Sequence, residues 1–198
     1  CVCCFFLMRR RPRRSTQSRS SAASDVYKRQ RQVCPIHDKG DAPRIRRENL
    51  ATLLHVHAQR NTRTLMVFEA PSYAGARRTG APFVNEGMFR EIEHILGVHT
   101  EFEKATKTPS QSALTTRIVW NTLAELGPVP LILETVPFHP HEPTNPMSNR
   151  KPTLHEILMF GNHLERIIEI FDINQIIAVG RTAERGLRNL GIECRHVR

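Results

Sequence analysis

Three segments of the chain combine acidic, aromatic and basic side chains with prolines and glycines, which are the residue types of functional loops. The first, residues 69–84, opens with Glu69 and ends in Gly80-Ala81-Pro82-Phe83-Val84. A carboxylate at such a position can orient a water molecule or stabilise a positive charge that develops during a reaction. Glu69 can equally cap the preceding strand or pair with Arg77 or Arg78, and the spacing alone leaves these interpretations open.

The second segment, residues 134–150, is rich in proline and contains His139 and His141. No third ligand follows at a convincing spacing, so we expect hydrogen-bonded histidines and no metal ion. The segment ends in Ser148-Asn149-Arg150, whose hydroxyl, amide and guanidinium groups suit a phosphate or sugar backbone. A solvated turn explains the same three residues equally well.

The third segment, residues 180–182, passes from an apolar run through Gly180 into a helical pattern, where backbone N–H groups can meet an anion. One glycine is a weak signal. The segment is neither a dinucleotide-binding fingerprint nor a phosphate-binding P-loop.

These segments must be positioned by the elements between them, and helical and extended patterns alternate along the chain. Apolar residues recur at helical spacing in residues 46–60, 85–96, 112–126, 153–171 and 182–190. Short apolar runs predict buried strands at residues 64–68, 130–136 and 175–179, with a fourth in 192–197. This alternation predicts an α/β fold, a three-layer α/β/α sandwich with a central, mainly parallel four-stranded sheet. Ligands of such sheets bind at the carboxyl ends of the strands, where all three polar segments fall.

Two helical stretches allow more detailed predictions. The apolar face expected for residues 112–126 comprises Ile118, Val119, Leu123 and Leu126. Residues 153–171 are expected to form one helix that begins with a capping box between Thr153 and Glu156. Its expected buried face includes Leu158.

Most of the positive charge lies near the start of the chain. The 198 residues have a formal net charge of +10, and residues 1–30 hold eight Lys or Arg and one acid. This stretch resembles translated sequencing-adapter sequence, and we expect it to be disordered and foreign to the natural protein; a polybasic nucleic-acid arm is the alternative. Residues 31–198, with 21 basic and 18 acidic residues, are expected to form one domain that is incomplete at its carboxyl end.

Taken together, the motifs resemble the uracil-DNA glycosylase superfamily, and best its bacterial members that lack an iron–sulfur cluster. The resemblance covers residues 44–198 and depends on the order and spacing of motifs that are individually modest. They are Glu69-Ala70-Pro71 with Gly80-x-Pro82-Phe83-Val84, then Val136-Pro137-Phe138-His139-Pro140-His141 with Asn145-Pro146-Met147-Ser148-Asn149-Arg150-x-Pro152-Thr153, then Ile177-Ala178-Val179-Gly180-Arg181.

The resemblance implies hydrolysis of the N-glycosidic bond of uracil or a related deaminated base in DNA, after the nucleotide has left the base stack. It implies that Glu69 positions water or stabilises the cationic sugar, and that Phe83 stacks on the base. Backbone N–H groups near Ala70 would bind a base oxygen. Residues 148–150 would hold the DNA backbone.

The same resemblance bears on cofactors and location. Beyond residue 30 the cysteines are Cys34 and Cys194, so the four ligands of an iron–sulfur cluster are lacking and no cofactor is expected. Two free cysteines suit a reducing cytosol. The sequence contains no run of about 18 uncharged apolar residues, so no membrane span is predicted. We therefore expect a cytoplasmic monomer that acts on DNA.

Two features depart from the family pattern. Glu134 stands where family members have a pocket Asn. An ionised Glu only accepts hydrogen bonds, as an amino group of the cytosine type requires, so Glu134 either alters base choice or points away from the pocket. The chain also ends at Arg198, before the His-Pro motif that supports the leaving base in the family. His196 is not its replacement, and we expect a fragment with impaired activity.

Two other functions fit this sequence. One is a nucleic-acid-binding module of the same fold without catalytic activity, which would bind DNA and release no base. The other is a nucleotide-binding α/β domain unrelated to repair, which would bind mononucleotides without preferring uracil-containing DNA. For the glycosylase and for the nucleic-acid-binding module, a local positive patch could meet DNA. It would comprise Arg77, Arg78, Arg150 and Arg181.

Overall fold

The computed structural model describes residues 37–99 and 102–198, so the predictions for residues 1–30 lie outside the described ranges. A four-stranded sheet forms the centre of the fold. Its strands are β1 (Thr64–Phe68), β2 (Leu131–Glu134), β3 (Gln175–Val179) and β4 (Arg195–Val197). Their order is β2-β1-β3-β4, and all three neighbouring pairs are parallel. The predicted α/β fold with a four-stranded parallel sheet is confirmed.

Helices connect the strands. They are α1 (Ala42–Gln59), α2 (Ala76–Thr79), α3 (Phe89–Leu96, after a 3₁₀ turn at Glu86–Met88), α4 (Leu114–Leu126), α5 (Leu154–Phe160), α6 (Asn162–Phe171) and α7 (Arg181–Asn189). The short helix α2 lies within a segment that the sequence predicted as loop. None of the helices in the described ranges is both long and apolar enough to cross a bilayer.

The predicted single helix over residues 153–171 is two helices, because Gly161 separates α5 from α6. A Cβ at Gly161 would come within 2.3 Å of a Leu190 methyl carbon, so the close approach of Leu190 requires glycine here. Glycine also weakens a helix by about 1 kcal/mol relative to alanine. The capping box is confirmed, since Thr153 accepts from the Glu156 N–H and the Glu156 carboxylate accepts from the Thr153 N–H.

Alternate strand residues contribute to two separate apolar clusters, because successive side chains of a strand point to opposite faces of the sheet. On β1, Leu65 and Val67 belong to one cluster, whereas Met66 and Phe68 pack in the other. Glu134 is paired in register with Phe68. The alternation on β2 directs it to the same face as Phe68.

The predicted buried faces of two helices are partly wrong. In α4, Ile118 is 56% and Leu126 is 74% exposed. The residues of α4 that are buried are Thr116, Trp120 and Leu123. Trp120 is only 1% exposed and donates from Nε1 to a backbone carbonyl of the domain. Burial of this large side chain, with its N–H satisfied, sets the rotation of the helix. In α5, Leu158 is likewise exposed, whereas its neighbour Ile157 is buried.

Candidate functional site

The carboxyl ends of β1 and β2 lie side by side, where Phe68 is paired with Glu134. Each strand leads into a polar segment, which we call the β1 loop (residues 69–84) and the β2 loop (residues 135–153). Two of the three segments singled out from the sequence thus begin at the same edge of the sheet, as expected for parallel strands.

Hydrogen bonds join the two loops to each other. Glu69 and Ala70 follow β1 directly and are half-buried. The Thr135 hydroxyl donates to the backbone carbonyl of Glu69 over 2.5 Å. Farther along, the Tyr73 N–H donates to the side-chain oxygen of Asn149 over 2.8 Å. The loops therefore form one structural unit at the carboxyl edge.

Phe83 occupies an unusual backbone position in this unit. Its φ is +54°, a left-handed conformation that costs a residue with a side chain about 1–2 kcal/mol. Two side chains from other elements hold it there. Trp120 Nε1 donates to the Phe83 carbonyl over 2.6 Å, and the Phe83 N–H donates to the Glu134 carboxyl group. The half-buried Phe83 ring lies 3.8 Å, centroid to centroid, from the ring of Phe68.

Glu134 is an acid in an unusual environment. The residue is 4% exposed, and burial raises its pKa from 4.5 to about 8, against the smaller opposing effect of the Phe83 N–H. At neutral pH the group is therefore a neutral carboxylic acid, which both donates and accepts hydrogen bonds. The premise of the sequence analysis that Glu134 is ionised therefore does not hold at neutral pH.

A small cavity lies between the two loops. Its wall includes Pro71, Arg77, Glu134, Phe138 and His139. Glu134 therefore does not point away from the site. The cavity has a volume of about 30 Å³, which is small compared with the roughly 300–1,000 Å³ of typical ligand pockets. A nucleobase can enter only if the loops separate. Glu69 and Phe83 are not on the wall, although Pro82, the neighbour of Phe83, is.

The histidines of the β2 loop are hydrogen-bonded. The Asn149 side-chain oxygen lies 3.0 Å from His139 Nε2, and because that oxygen only accepts, the proton is on Nε2. Burial lowers the pKa of His139 to about 4, with a contribution from the charge of Arg77, so its ring is neutral at physiological pH. In the described part of the chain, no three His, Cys, Asp or Glu side chains are grouped as metal ligands.

The residues predicted to hold the DNA backbone make contacts within their own loop. The Ser148 hydroxyl donates to the Asn145 carbonyl over 2.8 Å, and Asn149 bonds as described above. The Arg150 guanidinium makes two hydrogen bonds to the Glu156 carboxylate, at 2.8 and 2.6 Å. This contact with Arg150 is the main reason that the pKa of Glu156 falls to about 2. The contacts of these residues with DNA stay predictions, but the Arg150 charge is already neutralised.

The arginines of the β1 loop are not on the surface. Arg77 and Arg78 are both buried, and Arg78 is paired with the equally buried Glu86 at 2.9 Å. The prediction that they form part of an exposed DNA-binding patch is wrong; Arg181, by contrast, is exposed. Their recorded ion pairs are also not with Glu69. Charges counted along the sequence do not reveal which of them are internally compensated.

The chain matches no protein-family model and no curated protein. The fold and the site define an α/β domain with a parallel sheet and a small cavity, lined by both apolar and polar side chains, between two joined loops at its carboxyl edge. Its relationship to uracil-DNA glycosylases is therefore a proposal supported by the sequence motifs.

Proposed function

We propose that this protein is a DNA glycosylase that removes uracil or a related deaminated base from DNA. The observation that supports the proposal most is the strained backbone of Phe83, fixed at the carboxyl edge by Trp120 and Glu134. Strain of this kind persists only where the surrounding structure imposes it, and it clusters at ligand-binding and active sites. A rigidly held aromatic ring beside a cavity whose wall combines apolar side chains with a few polar groups suits a flipped-out base that must be stacked and read.

The neutral Glu134 supports uracil in particular. Uracil presents a carbonyl oxygen beside an N–H on its Watson–Crick edge. The O–H of the Glu134 acid can donate to the oxygen, and its carbonyl can accept from the N–H. This is the pairing that an Asn amide would provide, so the departure from the family motif conserves the hydrogen-bonding pattern at neutral pH.

The reaction breaks the bond between C1′ of the deoxyribose and N1 of the base. The electron pair of that bond leaves on N1, and C1′ becomes cationic. Glu69 stabilises the sugar cation and accepts a proton from the attacking water, whose oxygen bonds to C1′. The proton then reaches the base, so that the products are free base and an abasic sugar. We propose that the protein acts in this way as a cytoplasmic monomer without a cofactor.

The test is release of free uracil from a single-stranded and a double-stranded oligonucleotide that contain one uracil. We expect release by the protein and a loss of roughly 100-fold or more in Glu69→Gln, because general acid–base groups contribute about 10²–10⁴-fold. Glu165→Gln, which alters an exposed acid on α6, is the matched control and should leave release unchanged. Absence of release by the unaltered protein from both substrates would refute the proposal.

The small size of the cavity favours a second candidate, a nucleic-acid-binding module of the same fold without chemistry. A cavity of about 30 Å³ accepts no base unless the loops move. Such a module would bind the same oligonucleotides in a gel-shift assay and yield neither free uracil nor an alkali-labile site.

A further inference from the structure

Two guanidinium groups, those of Arg46 and Arg77, lie on the wall of the cavity between the loops. Both oxygens of the Asp38 carboxylate accept hydrogen bonds from Arg46, at 3.0 and 2.7 Å. The second guanidinium, that of Arg77, approaches the same carboxylate only to 3.7 Å. Among the described residues, both guanidinium groups therefore lie beside the same carboxylate. The other titratable groups on the wall, Glu134 and His139, are neutral at physiological pH.

Arg77 is the cation whose hydrogen bonds are incomplete. Its side chain is 6% exposed, and its Nη1 is buried without a hydrogen-bond partner among the described residues. Its Cζ lies 5.5 Å from the centre of the Tyr73 ring, which holds the guanidinium plane but accepts no strong hydrogen bond. A buried N–H without a partner is unfavourable, because it has lost its hydrogen bonds to water and gained none in the protein. Such a cost is offset when an anion binds.

The neighbouring Arg78 shows that this state is not a general consequence of burial. Arg78 donates to Glu86, to the hydroxyls of Thr106 and Thr108, and to the carbonyl of Pro109. Its charge is compensated and its donors are used. Of the two adjacent arginines, only Arg77 lies on the cavity wall.

We propose that Arg77 is a second catalytic residue of this site, whose guanidinium contacts the departing base and stabilises the negative charge that develops on it. The inference rests on the proposed glycosylase function. When the bond from C1′ to N1 breaks, the electron pair spreads from N1 onto the base oxygens. A fixed cation in a site that excludes water stabilises that charge without reorganising. The wall formed by Pro71 and Phe138 suits a flat heterocyclic anion better than a hydrated phosphate.

The test compares two leaving groups of different acidity. Oligonucleotides with one uracil or one 5-fluorouracil are cleaved under single-turnover conditions by the unaltered protein and by Arg77→Met. Removal of one charged donor should slow uracil release by roughly 10²–10³-fold. The anion of 5-fluorouracil is more stable in itself. The factor by which Arg77→Met slows its release should therefore be smaller than the factor for uracil by about tenfold or more. Arg77→Lys should recover part of the loss, and Arg166→Met, which alters an exposed arginine on α6, should behave like the unaltered protein.

Several results would overturn the proposal and leave the glycosylase function intact. One is an equal slowing of both substrates in Arg77→Met, which indicates a structural role. Another is a change only in the salt dependence of DNA binding, which indicates a phosphate contact. If the unaltered protein releases neither base, the proposed function itself fails.

A second measurement does not depend on any variant folding. Free uracil and free 5-fluorouracil are titrated into the unaltered protein at pH 7.5, where the fluorinated base has more of its anion. We expect 5-fluorouracil to bind at least about tenfold more tightly, because a surplus cation favours the anionic ligand. Equal affinities for the two bases would overturn the proposal.

Discussion

The β1 loop and the β2 loop meet at the same edge of the sheet, but their polar groups are satisfied in different ways. In the β1 loop, Phe83 is fixed by Trp120 of α4 and Glu134 of β2. Arg77 shares the Asp38 carboxylate with Arg46 of α1. In the β2 loop, Ser148 bonds within the loop. Arg150 pairs with the first turn of the next helix.

Phe83 and Arg77 of the β1 loop are therefore held by residues distant in sequence, whereas Ser148 and Arg150 of the β2 loop bond to residues that are near in sequence. A site that is held by several elements keeps unfavourable features, such as a strained backbone or an uncompensated charge, that local structure alone would relax. Precise positioning by surrounding residues is also what a reactive site requires. Under the proposed function, we therefore expect the chemistry to depend on the β1 loop together with Glu134, and the β2 loop to shape the wall.

The largest effect that would sharpen this comparison is expected at Phe83. Stacking of a base on an aromatic ring is worth about 1–3 kcal/mol, so Phe83→Ala should lower kcat/KM for uracil release by roughly 5- to 150-fold, given about 1.4 kcal/mol per factor of ten. Phe83→Gly should lose as much activity. However, glycine adopts a positive φ without penalty, so Phe83→Gly should unfold with a free energy about 1 kcal/mol higher than Phe83→Ala.

Chemical denaturation of the two Phe83 variants, together with uracil release, checks both parts of this prediction. The strain interpretation is wrong if the glycine variant is no more stable than the alanine variant. The stacking interpretation is wrong if both variants cleave as fast as the unaltered protein.

The next effect concerns the proton on Glu134. Its folded pKa of about 8 lies above the ordinary value of 4.5, so the folded protein keeps a proton that the unfolded chain releases. Its contribution to stability is therefore full below about pH 4.5 and is lost as the pH rises towards 8, by roughly 1.4 kcal/mol per pH unit. Glu134→Gln, which keeps a donor and an acceptor but does not titrate, should lack this dependence.

The same variant tests whether Glu134 reads the base as an acid. Release of uracil by the unaltered protein should fall about tenfold per unit above pH 8, because the ionised group no longer donates. The profile of Glu134→Gln should stay flat over that range. Identical profiles for the two proteins above pH 8 would show that the proton on Glu134 is not used in the reaction.

Much of the fold is predictable because strands β1 to β3 of this parallel sheet are short, mainly apolar runs. Residues 64–68 and 175–179 were predicted with the bounds that the structure has. Where several faces of one helix are nearly equally apolar, tertiary packing decides which face is buried. In α4 the burial of Trp120 outweighs that of Ile118 and Leu126, which are left exposed.

The meeting of the two loops is predictable for the same reason, since parallel strands align their carboxyl ends. The electrostatic state of the site is not. The neutrality of Glu134 follows from burial by residues distant in sequence. Arg77 differs from Arg78 in the carboxylates and the other hydrogen-bond acceptors that the fold places nearby. The positive φ of Phe83 could not be predicted either, because phenylalanine, unlike glycine or asparagine, gives no local indication of such a backbone conformation.

The smallest effect is expected in the β2 loop, at Arg150. A residue that contacts a DNA phosphate contributes about 0.9 to the slope of the logarithm of affinity against the logarithm of salt concentration. Because the Arg150 guanidinium is held by Glu156, Arg150→Met should change this slope by clearly less than 0.9 and lower the free energy of unfolding by about 1 kcal/mol. Glu156→Gln weakens the guanidinium's partner and should make the slope steeper. If Arg150→Met instead changes the slope by about 0.9, the β2 loop binds DNA directly. The two loops would then differ in what they bind and not in how their side chains are held.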